Sequence, residues 1–186
     1  MSVYGDELSA FKNAQTVEIP PDLIASPYGG IKNTNDATAK NPLGTLYRYK
    51  GNMYRYVKFD NGTNNVAAVA YAVVHWKSLD PTAGTFTVTS DHADEIGGVN
   101  TVAGVLGTTV VTDGYYTWIQ VGGVVSVLVN ASVAIGDVML GSATDLEFAH
   151  IDADGEILSV PFGVAYTAFS SNKSSVLLCA PVLTCF

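Results

Sequence analysis

The stretch that most constrains this chain is Thr112 to Leu140, TDGYYTWIQVGGVVSVLVNASVAIGDVML. It opens on the turn pair Asp113-Gly114 and runs into Tyr115–Val121, rich in aromatic and β-branched residues. Gly122-Gly123 interrupts it, Val124–Val129 follows, and Asn130-Ala131-Ser132 turns the chain into a third apolar run from Val133 to Val138. Each run has the length and composition of a strand, and each break carries turn residues. Three strands in so short a span leave no room for helices, so an all-β domain is expected.

The flanking sequence follows the same grammar. GTLYRYKGNMYRYVKF reads as a hairpin, Leu46–Tyr49 and Met53–Phe59 joined at Lys50-Gly51-Asn52. Its alternation puts Arg55, Val57 and Phe59 on one face and Tyr54, Tyr56 and Lys58 on the other; a solvent-facing edge with cross-strand Tyr–Arg packing is expected. Asn64–Ser78 mixes a helix-tolerant alanine run with Val73, Val74 and Trp76, and is expected to be mostly strand. TFTVTS, residues 85–90, alternates cleanly. Strands are also expected over Val99–Leu106, Thr108–Val111, Phe148–Ile151, Ile157–Val160, Gly163–Phe169 and Ser175–Ala180. Trp118, Val121, Val127 and Val164 are the expected core.

Residues 1–42 are different. Pro20, Pro21, Pro27 and Pro42 remove backbone donors and favour extended geometry, yet Ile19, Leu23, Ile24 and Tyr28 are too apolar for a solvated linker. An extended N-terminal arm is expected, lying on its own domain or on a neighbour, ahead of a domain at 43–186. Ile19, Leu23, Ile24 and Tyr28 are its expected anchors; Trp76 and Tyr116 are expected as core or contact residues.

Charge narrows the function. The net charge is −8 and only 14% of the 186 residues are charged, against 48% hydrophobic. Nucleic-acid binding needs a basic face, so no direct nucleic-acid partner is expected, and an anionic membrane is disfavoured. So little charge implies that part of the surface is covered by a partner or by further copies. The start of the chain has no basic and apolar leader pattern, and no run is long enough for a membrane helix; neither secretion nor a membrane is expected. Cys179 and Cys185 are expected to behave as small apolar residues.

Chemistry-bearing clusters are few. Asp91-His92-Ala93-Asp94-Glu95 offers a His among carboxylates, a pattern able to bind metal or move protons, but His75 and His150 lie in separate segments and a polar loop is expected. Asp152-Ala153-Asp154-Gly155 lacks the remaining ligands of a calcium loop and reads as a hairpin turn. No glycine pattern matches a phosphate-binding loop. No catalytic, cofactor or metal site is expected, and the chain is not expected to be an enzyme.

The order of elements resembles the capsid decoration (cement) proteins of tailed bacteriophages. The residues that carry the resemblance are Ala103-Gly104-Val105, Asp113-Gly114-Tyr115, Trp118-Ile119-Gln120-Val121, Gly136-Asp137 and Gly163-Val164-Ala165, within residues 43–181. The resemblance implies a small β-barrel or β-tulip-like domain on the outside of an icosahedral head, made in the host cytoplasm. Its implied partners are the major capsid protein and further copies of itself, most often as a trimer, and its implied role is bridging capsomers. Two other classes fit the composition: another virion part, such as a head fibre or tail component, or a carbohydrate-binding β module using Tyr115, Tyr116 and Trp118. A lipoyl-type carrier would need a lysine at a hairpin tip with suitable flanks, which Lys50 lacks.

Overall fold

The computed structural model describes residues 34–96, 101–107, 111–129, 133–141, 148–150 and 162–179, with backbone alone at 148–150. All belong to one compact unit, residues 31–186. The fold is all-β, as expected. Its strands are β1 (Leu46–Tyr49), β2 (Asn52–Asp60), β3 (Val73–Asp80), β4 (Thr85–Thr89), β5 (Val102–Val105), β6 (Tyr116–Leu128), β7 (Val138–Gly141), β8 (Phe148–His150), β9 (Gly163–Ala165) and β10 (Lys173–Leu178).

Five strands close a small barrel in the order β2-β4-β3-β5-β6, with β6 pairing back onto β2. One seam, β2 against β4, is parallel (Lys58 opposite Thr87, Phe59 opposite Val88); the other pairings around the barrel are antiparallel. A barrel this small has room only for side chains. Val57, Phe59, Val74, Trp76, Val88 and Ile119 fill it. Arg55 lies over the rings of Trp76 and Phe86, 5.7 and 5.8 Å from their centroids. Trp76 is therefore a core residue of the barrel.

The long strand β6 serves two sheets. Its first half pairs with β2 through Gly122 opposite Met53. Its second half, from Gly123, pairs with β10, and the sheet continues to β9, β7 and β8. Gly122-Gly123 was expected to separate two strands; instead β6 runs through it. Gly123 takes φ +84, open to glycine at little cost, and a Cβ there would meet Asn52. A register shift opposite Met53 and Tyr54 accompanies it. The pair is thus a bulge that turns one strand from one sheet into the next.

Below this second sheet lies a second core: Val125, Val127, Met139, Phe162, Val176 and Leu178. Trp118, Val121 and Val127 are buried, as expected. Val164 is not; it is half-buried on the opposite face, because its neighbours Gly163 and Ala165 take the inward positions.

Several local expectations hold and others shift. The hairpin turns at Lys50 (φ 47) and Gly51 (φ 81), two left-handed residues as a tight hairpin loop demands. Ser171 and Asn172 repeat that geometry beneath the Ser170–Lys173 bridge. Asn64–Ala72 is not strand: Asn65 and Tyr71 take positive φ, and the chain loops before β3 begins. β2 is not a solvent-facing edge but is paired with β1, β4 and β6. The expected strands at 108–110 and 157–160 and the turn at 152–155 lie outside the described residues.

Candidate functional site

Two features of the surface stand apart from simple packing: an open apolar row, and a buried polar centre.

The row arises from strand register. Val124 on β6 lies opposite Leu177 on β10; Leu177 lies opposite Val164 on β9; Val164 lies opposite Val138 on β7. Directly paired residues project to the same face, so these four form one line across four strands. Val124 is 44% exposed and Leu177 43%, while Val164 and Val138 are half-buried. Ile135, in the turn before β7, and Tyr166, just after β9, are more exposed still, at 72% and 64%. Large exposed apolar patches are where soluble proteins meet partners, so this face is the candidate binding surface.

The barrel's outer face contrasts with it. Tyr54, Tyr56 and Trp118 are all buried there. Tyr56 packs on Trp118 and stacks on Tyr116, and Tyr47 from β1 leans on Trp118. Residues 34–45 complete the cover. Asp36 and Tyr116 exchange backbone hydrogen bonds of 2.9 and 2.8 Å, and Thr117 Oγ1 donates to the carbonyl of Thr34. The Tyr56 hydroxyl donates to Asp36 Oδ2 at 3.0 Å and accepts from the Lys40 N–H. Burial, together with the Asp36 carboxylate, pushes the Tyr56 hydroxyl up to about 12. Tyr116 therefore packs between the barrel and residues 34–40. Tyr115 packs toward the barrel core instead, so Tyr115, Tyr116 and Trp118 do not share one open platform. Ile19, Leu23, Ile24 and Tyr28 lie outside the described residues.

The polar centre was not foreseen. His75 and His92 were expected to be unrelated, but the β4–β5 connection folds back across β3. His75 is fully buried, with its Nδ1 2.9 Å from Glu95 Oε2. The Nδ1 of His92 lies 3.7 Å from that same oxygen, and the two imidazoles meet edge to face at 5.5 Å. The Thr101 N–H also donates to Glu95 Oε2 at 3.1 Å. Asp91 caps the 3-10 turn His92–Asp94, accepting from the Ala93 N–H, and it also accepts from the backbone and side chain of Asn64. Alongside, Lys77 Nζ bridges Asp60 and Asp94, both at 2.9 Å. The Lys77 ammonium and Thr63 hold Asp94 below the usual carboxylate range. At Asp60 burial pushes upward, but Lys77 and the Gly62 N–H outweigh it and the carboxyl also falls below its usual value. Hydrogen bonds to Asp60 and Asp94 raise Lys77 in turn. The loop at 60–66 and the β4–β5 connection are thereby tied to β3. The signal in the sequence was faint: a lone His in the apolar run AYAVVHWK, with His92 and Glu95 seventeen and twenty residues further on.

Cys179, just past β10, is a free, exposed thiol. No helix among the described residues is long and apolar enough to cross a membrane.

No known protein family matches this chain, and no curated protein sequence does. Among solved structures it is similar to the crystal structure of the head fiber gp8.5 N base in bacteriophage phi29. That similarity has 13% sequence identity and a TM-score of 0.44, over 67% of this chain and 92% of that one.

Proposed function

We propose that this chain is a structural component of a tailed-bacteriophage virion, acting by binding rather than by catalysis, and seated on its partner through the open row Val124–Leu177–Val164–Val138. The virion assignment is supported by the sequence resemblance to phage decoration proteins. The residues that carry it fall at defining positions of the fold. Ala103-Gly104-Val105 is in β5, Trp118–Val121 in β6 and Gly163–Ala165 is β9. Gly104 explains itself physically: a Cβ there would sit 2.7 Å from the Gln120 carbonyl oxygen, where β5 meets β6 to close the barrel. A binding role is supported by one observation above the others, the line of apolar side chains that register places side by side on one face of the second sheet, with Val124 and Leu177 open to solvent.

Within this reading the chain is either a cement subunit on the head exterior, bridging major capsid proteins, or a head-fibre or tail part. The second matches the part named for the similar phi29 structure. A cement subunit repeats over the lattice and gains from many weak contacts held at high effective concentration; a fibre or tail part occupies few sites. Quantitative mass spectrometry of purified virus particles separates them. A copy number comparable to the major capsid protein supports the cement reading. A few copies per particle support the fibre or tail part. Absence from the particle ends the virion reading.

A further inference from the structure

We infer that His75, His92 and Glu95 form a binding site for a divalent transition-metal ion, Zn2+, that fastens the β4–β5 connection onto β3. One ring nitrogen from each histidine and one Glu95 oxygen lie within 4.8 Å of one another. Around a tetrahedral zinc ion with bonds of ~2.0–2.1 Å, ligand atoms stand about 3.3 Å apart. The observed separations from Glu95 Oε2 to the two Nδ1 atoms, 2.9 and 3.7 Å, straddle that spacing. Small rotations of the Glu95 and His92 side chains bring the three into position.

The donor set selects the ion. Two imidazoles and one carboxylate suit zinc; calcium and magnesium take oxygen ligands almost throughout. Burial supports the same choice. His75 and Glu95 are enclosed and His92 is 25% exposed, so an ion would reach the site from the His92 side. The supporting contacts are of the kind that orient metal ligands: the Thr101 N–H on Glu95, and the Asp91 cap that fixes the turn carrying His92. The Lys77 ammonium, whose partner Asp94 lies in the same turn as His92, is held by two carboxylates, so its charge is balanced locally and opposes an incoming cation weakly.

The test uses the untagged full chain, stripped with chelator and titrated with ZnCl2 by calorimetry, with bound metal counted by elemental mass spectrometry. One zinc per chain is expected, with a rise in Tm on adding zinc. His92→Ala, at the rim of the site, is expected to weaken binding by ~10–100-fold or more, since loss of a supporting contact alone has that effect, and to abolish the Tm rise. Glu95→Gln is expected to do the same. Cobalt substitution in the wild-type chain gives a readout independent of any variant's folding. Visible bands of a four-coordinate nitrogen–oxygen site are expected, without the near-ultraviolet charge-transfer bands of thiolates. A wild-type chain that binds no zinc overturns the inference. So does binding that is unchanged in His92→Ala, or a cobalt spectrum with thiolate bands, which would place the ion on Cys179 or Cys185.

Discussion

The two halves of β6 make an instructive pair. The first half is covered on both faces: Ile119 and Val121 point into the barrel, while Trp118 lies under Tyr47 and Tyr56 on the outside. The second half has nearly the same apolar content but is covered on one face only. Val125 and Val127 enter the second core, and Val124 faces solvent beside Leu177. Where this chain needs to hide an aromatic surface, it uses β1 and residues 34–45 to do so. No described segment performs that service for the second sheet. Among the described residues the row is left uncovered.

The comparison can be broken by substitution, and the expected effects fall in order. Trp118→Ala removes the centre of the covered face and is expected to cost ~3–5 kcal/mol in denaturant unfolding. A cost near that of an ordinary surface change would mean the face is not closed. Gly104→Ala pushes a methyl group against the Gln120 carbonyl at the β5–β6 seam, and a loss of ~1–3 kcal/mol is expected from overpacking. Tyr56→Phe deletes the hydroxyl that ties Asp36 to the barrel; about 1–2 kcal/mol is expected at neutral pH.

That hydroxyl also sets an alkaline limit. Its folded value is raised from 10.0 to about 12, so its contribution is full below pH 10 and falls away as pH rises toward 12. Stability measured across that window is expected to drop less steeply in Tyr56→Phe than in the wild type. The acid side behaves oppositely. Asp60 and Asp94 are depressed, so the Lys77 bridge contributes above the usual carboxylate range and is lost as pH falls below it. Asp94→Asn is expected to flatten the acid limb of a Tm-against-pH curve by a small amount, because the bridge is partly exposed.

The smallest stability effect is expected at the open row. Leu177→Asp projects into solvent and is expected to change stability by ~0.5 kcal/mol or less, yet to reduce co-sedimentation with purified phage particles. Particles that bind Leu177→Asp and Val124→Asp as well as the wild type would remove the row from the interface.

Much of the architecture was legible because turns speak locally. Lys50-Gly51 and Ser171-Asn172 reverse the chain where the sequence says they should, since Gly51 and Asn172 accept left-handed geometry readily and draw Lys50 and Ser171 into it. Strand existence was clear for the same reason. Depth was not. Alternation sorted Tyr54 and Tyr56 from Val57 and Phe59, but it cannot say that a distant segment will cover the tyrosines. Val164 was misplaced by one step of the same alternation. Gly122-Gly123 was ambiguous because a glycine pair ends a strand as readily as it bends one. The His75–His92–Glu95 centre was invisible for a different reason. Its residues meet only because β4 pairs with β3 and the connection then doubles back, and no spacing along the chain records that.

The pairing of β2 with β6 has a consequence for the order of events when the chain is made. Tyr54 finds its partner at Gln120, so the first barrel strand waits through the synthesis of β3, β4 and β5 before closure is possible. Non-local pairing of this kind places folding in the slow range, milliseconds to seconds, for β-rich domains. Since β10 also pairs on β6, the second sheet, with its solvent-facing row, has its template strand only when the barrel's last strand has emerged. The solvent-facing row is therefore a late product of folding, and a nascent chain presents it only after its own barrel strands have been synthesised.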